Sequence, residues 1–132
     1  MELIKTILES NIIKIEIGAD YNEEKKILRG MVELDIENQA CFVDMIESIF
    51  KEGKYNRIIV DMHNVNYIDS SGLWALFESH KKAEQKKGKL ILLNPTKDVK
   101  RVLDITKMSS KIKLYTDEPE AMKDLSIDSE SA

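Results

Sequence analysis

Four consecutive residues, Asp69-Ser70-Ser71-Gly72, set a carboxylate and two primary hydroxyls beside a residue without a side chain. They follow the short apolar run Ile58-Ile59-Val60 and open an amphipathic segment, so the hydroxyls fall where a strand hands over to a helix. A helix start presents N–H groups with no partner inside the helix, together with the positive end of the helix dipole, and both favour an anion such as a phosphate. A serine there has two ordinary uses. Its oxygen accepts a hydrogen bond from a free N–H as a cap, or it stands exposed and receives a group brought by another protein. Residue chemistry leaves both uses open for Ser70 and for Ser71, since the two lie within one turn of the same dipole. Asp69 could orient the neighbouring hydroxyl or hold the loop by accepting backbone N–H bonds. Gly72 permits a tight turn and close approach of another molecule. Trp74 is offset from the Leu73, Leu76, Phe77 stripe; it reads either as an exposed aromatic beside the hydroxyls, suited to a partner, or as a ring lying over the neighbouring helix.

Other chemistry has less support. A serine hydrolase would need a Gly-x-Ser-x-Gly elbow, which Asp-Ser-Ser-Gly is not. His63 and His80 have no acid or nucleophile at a convincing spacing and read as a loop histidine and a helix-face histidine, with Asp61 structural. The single Cys41 can form no internal disulfide and has no Cys or His neighbours at ligand spacing, so neither a metal nor another cofactor is expected. A net charge of −4 argues against a nucleic-acid binder. Lys81, Lys82, Lys86 and Lys87 form one dense basic cluster late in a helical pattern, read as a solvated helix end or as a docking patch for an acidic partner.

The elements that position the motif alternate between strand and helix signals. At 132 residues, with 42% apolar and 33% charged residues, the chain is expected to form one domain over 1–132 with its own core. Ile13, Ile15 and Ile17 alternate with Lys14 and Glu16, which predicts a strand over 12–17. Residues 19–24 read as a hairpin connection into a strand region over 26–34. Before residue 11, Leu3, Ile4, Ile7 and Leu8 fit a helical stripe, and the element type stays open. Asp35 is the expected N-cap of a helix running to about Phe50 and stopped by Gly53. A buried strand over 58–62 precedes the motif. Leu73, Leu76, Phe77, His80 and Ala83 predict a helix over about 72–87, ended by Gly88. A strand over 90–93, a helix near 96–106, a last strand over 112–115 and a short helix after Asp117-Glu118-Pro119-Glu120 complete the series. The end, over roughly 126–132, has little to anchor it and is expected to be a flexible tail. No apolar stretch approaches the roughly 18 residues of a membrane span, and the N-terminus lacks the order of a secretory signal, so a cytoplasmic protein without membrane insertion is expected.

Taken together, the stretch from Tyr67 to Trp74, the Asp61-Met62-His63-Asn64-Val65 run before it, Leu93-Asn94-Pro95 and the Val99-to-Asp104 segment resemble the STAS domain of the anti-sigma factor antagonists over nearly the whole chain. The resemblance implies an α/β fold with a mixed central sheet of four to five strands and about four helices. It implies a non-enzymatic bacterial regulator: unphosphorylated, it binds an anti-sigma factor that is also a serine kinase and so releases a sigma factor, with a serine phosphatase as a further partner. The serine phosphorylated in that family directly follows the aspartate, which corresponds to Ser70; Ser71 is second choice and becomes the better cap. Asp69, Ser71, Gly72 and Trp74 would then face the partner. Two positions depart from the family. Gly30 is followed by Met31-Val32-Glu33-Leu34-Asp35, so the glycine that commonly precedes the Leu-Asp step is either shifted to Gly30 or replaced by Val32, and Lys107 follows Ile105-Thr106 where a glycine commonly closes the helix, so the 107–111 loop is expected to differ in shape. A phosphorylation-independent scaffold or subunit of a membrane transport complex is the alternative that the same domain allows.

Overall fold

The computed structural model describes the backbone of residues 1–9 and 11–131, and the side chains among these up to Ser126. Strands β1 (Glu2–Ile7), β2 (Ile12–Asn22), β5 (Arg57–Asp61), β7 (Lys89–Leu93) and β8 (Leu114–Tyr115) lie side by side in that order, and β3 (Ile27–Gly30) also pairs with β2. The sheet is mixed. β1 and β3 run antiparallel to β2, while β2, β5, β7 and β8 are mutually parallel. β4 (Val32–Leu34) and β6 (Val65–Ile68) form a separate parallel pair.

The alternation of side chains along the central strands assigns their residues to two layers. Ile13, Ile15, Ile17, Ile58, Val60, Leu90 and Leu92 pack with α1 (Gln39–Glu52), α2 (Ser70–Gln85) and α3 (Lys97–Ile105). Ile12, Ile59, Ile91 and Leu93 point the other way and meet Ala121 and Leu125 of α4 (Glu118–Ser131). Both faces of β5 and β7 are therefore covered, which is why these strands read as unbroken apolar runs. Lys14, on the α4 side of β2, is tied to the start of that helix by an ion pair to Glu118 of 2.8 Å.

Several expectations shift. Residues 2–7 form a strand, because a six-residue antiparallel ladder from Glu2↔Gly18 to Ile7↔Ile13 overrides the helical spacing of Leu3, Ile4, Ile7 and Leu8. β2 runs five residues past Ile17 before the chain turns, with Lys26 N donating to Asn22 O at 2.7 Å. Asp35 is not the cap of α1. It and Asn38 instead lock a preceding turn: Asp35 Oδ1 accepts from the nitrogens of Glu37 and Asn38, and Asn38 Oδ1 accepts from Asp35 N at 2.9 Å. Helix α1 begins only at Gln39 and ends at Gly53, whose φ of 75° is left-handed. Lys107 also takes a left-handed φ, of 63°, so the conformation that a glycine would favour is kept there by a lysine. From residue 127 onward, the expected tail falls outside the described side chains.

Candidate functional site

β6 delivers Asp69 in an extended conformation, and its side chain caps α2: Asp69 Oδ1 accepts from Gly72 N at 3.0 Å. The aspartate is thus the cap, and neither Ser71 nor Ser70 holds that position. Asp69 Oδ2 accepts from Ile36 N at 3.1 Å, and Asp69 N donates to Leu34 O at 3.3 Å. One carboxylate therefore fastens the turn after β4 to the first turn of α2.

Gly72 completes the joint. A Cβ at this position would stand 2.3 Å from Leu34 O and 2.7 Å from Ile68 Cγ1, so the helix can approach β4 only with hydrogen at this position. Gly72 is buried in this joint.

With capping supplied by Asp69 and close packing by Gly72, Ser70 lies exposed on the first turn of α2, and Ser71 is half-buried. Three large apolar side chains near it in the chain or linked through Asp69 remain in solvent. Trp74, one turn further along α2, is 61% exposed; Tyr67, at the end of β6, is 50%; Ile36, whose N–H binds Asp69, is 71%. Of the two readings of Trp74, the exposed one holds: the ring tilts against Phe77 at a centroid separation of 6.2 Å and is not covered by a neighbouring helix. Ile36 was absent from the expected site, since only the Asp69 bond across 33 residues brings its turn there.

The remaining candidates lie elsewhere. His63 Nδ1 is 2.7 Å from Asp61 Oδ1, and His80 Nε2 is 3.3 Å from Glu84, so both histidines have acid partners that their spacing did not suggest. Cys41 is exposed. Lys81 pairs with Glu78 and lies 5.5 Å over the Phe77 ring, while Lys82 pairs with Glu47 on α1. Among the described residues, no group of three or more His, Cys, Asp and Glu is placed to hold a metal, and no helix is long and apolar enough to cross a membrane.

Comparison with known proteins converges on one family. The STAS domain model matches residues 17–121. A candidate anti-sigma factor antagonist of Thermotoga neapolitana is 31% identical over 103 residues, covering 78% of this chain and 91% of that protein. The crystal structure of a candidate anti-sigma factor antagonist of Thermotoga maritima superposes with a TM-score of 0.75 at 25% identity, over 93% of each chain. The anti-sigma factor antagonist SpoIIAA in its unphosphorylated form shares the fold, with a TM-score of 0.69 at 19% identity over 90% of this chain and 92% of that one. With four helices, a mixed sheet and this sequence match, the chain belongs to the STAS domain family.

Proposed function

We propose that this protein is an anti-sigma factor antagonist whose grip on its partner is switched by phosphorylation of Ser70. In the unphosphorylated state, Ile36, Tyr67 and Trp74 offer an apolar surface around a neutral hydroxyl, and an anti-sigma factor with serine-kinase activity docks there and gives up its sigma factor. The protein acts in the cytoplasm as the kinase's substrate; ATP, magnesium and the phosphoryl-transfer groups belong to the partner. Transfer forms a bond from the Ser70 oxygen to the γ-phosphorus, breaks the bond to ADP and releases the hydroxyl proton. The new group adds about −1.5 to −2 charges beside the carboxylate of Asp69. Burying that charge under an apolar partner is costly, so the complex opens, while the N-terminal dipole of α2 lets the domain itself stay folded. A serine phosphatase restores the docking form.

The observation that carries this reading is the exposure of Ser70 at a helix start whose capping is done by Asp69, leaving the serine without that structural duty. The test is incubation with the cognate kinase, ATP and magnesium, followed by mapping of phosphate by mass spectrometry and titration of the anti-sigma factor. Phosphate on Ser70, Ser70→Ala binding as tightly as wild type, and Ser70→Asp binding at least tenfold more weakly are expected. Equal affinity of the alanine and aspartate variants overturns the switch.

A further inference from the structure

The far end of α2, about 24 Å from Ser70 at the rise of an α-helix, borders a cleft of ≈ 350 Å³ lined by Lys54, Arg57 and Lys86 together with Asn11, Tyr55 and Asn56. No carboxylate lines it among the described residues. Among the described residues none of its three cations has an acid within ion-pair distance, whereas Lys82 pairs with Glu47 and Lys89 with Asp124 at 3.1 Å. Arg57 donates through one terminal nitrogen to Asn56 Oδ1 at 3.4 Å, while its Nε is buried and finds no acceptor. A buried guanidinium N–H without a partner is an unmet demand for an oxygen.

The walls of the cleft are fixed rather than pliable. Asn56 Nδ2 donates to Lys86 O at 3.0 Å, Lys89 N donates to Asn56 O at 2.9 Å, and the turn packs so closely that a Cβ on Gly88 would lie 1.9 Å from Asn56 O. Lysines at the ends of α1 and α2 also offset the negative ends of those helices, each equivalent to about half a charge. Three full cations exceed that combined demand by about two charges. That surplus matches a phosphate dianion, and the fork of Arg57 suits its oxygens.

We propose that this cleft binds a small phosphorylated molecule, with Lys54, Arg57 and Lys86 taking the phosphate oxygens and Tyr55 and the neighbouring Phe50 contacting the remainder. The inference stands independently of the Ser70 switch and gives the domain a second, ligand-sensing end.

Titration of the full-length 15N-labelled protein with inorganic pyrophosphate at constant ionic strength tests it. Saturable amide shifts confined to residues 50–57 and 82–89 are expected, and Ser70→Ala should titrate like wild type. Lys86→Gln and Arg57→Gln should each weaken binding about tenfold or more. Because Arg57 is partly buried and its variant could fail to fold, the exposed Lys54→Gln and Lys86→Gln changes keep the test decisive. Linear shifts spread over every lysine, or unchanged affinity in folded variants, overturn the proposal. Sedimentation with phosphatidylglycerol vesicles separates the sources of phosphate: vesicle binding that needs these cations, without saturable pyrophosphate binding, also overturns it in favour of a lipid surface.

Discussion

The backbone nitrogen of Ile36 donates to Asp69 Oδ2 at 3.1 Å, joining two segments 33 residues apart through one side chain. Since Asp69 Oδ1 simultaneously accepts from Gly72 N, removing the carboxylate leaves two backbone donors without their partner. Loss of an N-cap alone costs about 1 kcal/mol, and the second bond adds about another 1 kcal/mol. Asp69→Ala is therefore expected to lower stability by about 2 kcal/mol in urea unfolding. Asp69→Asn keeps one acceptor oxygen and should recover about half. A loss equal in both variants would show that geometry other than these bonds holds the joint.

Gly72→Ala sets two effects of opposite sign against each other. Alanine is the better helix former by about 1 kcal/mol, yet its Cβ would stand 2.3 Å from Leu34 O, a backbone atom with no freedom to swing away. Overpacking of this kind costs about 3 kcal/mol, so the net expectation is a loss of about 2 kcal/mol by urea unfolding. Because α2 must shift to relieve the clash, new amide chemical shifts should appear at Leu34, Ile36 and Asp69.

The contrast between Asp69 and Trp74 shows how much of this was legible in the sequence. Alternation in β2, the apolar runs of β5 and β7 and the 3.6-residue stripe of α2 each follow from local periodicity, and the structure has all three. Cap identity did not follow, because Asp, Ser and Ser in succession are all good caps, and only the extended ψ of −174° at Asp69 selects among them. β1 was ambiguous for a related reason: its partner β2 supplies the ladder, and no local pattern reports a partner. Whether Trp74 was covered depended on where neighbouring helices lie, which is a property of the tertiary arrangement. Ile36 joins the site through a long-range bond and had no local signal at all.

Lys107 holds φ at 63° with a side chain that disfavours it. A left-handed conformation costs an ordinary residue about 1–2 kcal/mol, while a glycine adds about 0.4–1 kcal/mol of unfolded-state entropy to be lost. Lys107→Gly should thus stabilise by about 0.5–1 kcal/mol. Gly53 gives the opposite-sign control: its φ is 75° and a Cβ would meet nothing within 4 Å, so Gly53→Ala reports backbone strain alone. A destabilisation of about 1 kcal/mol is expected there. Thermal unfolding of both variants checks the pair.

Asp124 links α4 to the sheet. Burial works to raise its pKa, but hydrogen bonds from Tyr115 and Lys89 and the charges of Lys89 and Lys113 outweigh that and hold the carboxyl below its ordinary 3.8. A depressed carboxyl contributes stability that is complete above the unfolded value and lost as pH falls through the folded one. The protein should therefore weaken as pH drops below about 4. Asp124→Asn should remove this part of the acid limb and be less stable near pH 7, measured by urea unfolding across pH. An unchanged acid limb in the variant would assign the loss to other carboxylates.

Trp74 separates folding from binding most cleanly. Its ring is 61% exposed and tilts against Phe77, so Trp74→Ala should alter stability by no more than about 0.5 kcal/mol. An exposed tryptophan at the centre of a docking surface contributes about 2 kcal/mol or more to a complex, equivalent to about 30-fold in affinity. Titration of the anti-sigma factor against Trp74→Ala should show that loss while the melting temperature stays put. Ile105, 73% exposed at the end of α3, serves as the comparison: Ile105→Ala should leave the affinity within about twofold. Equal losses at both positions would mean that the partner reads general surface apolarity; a loss confined to Trp74 would fix the docking face on the first turns of α2.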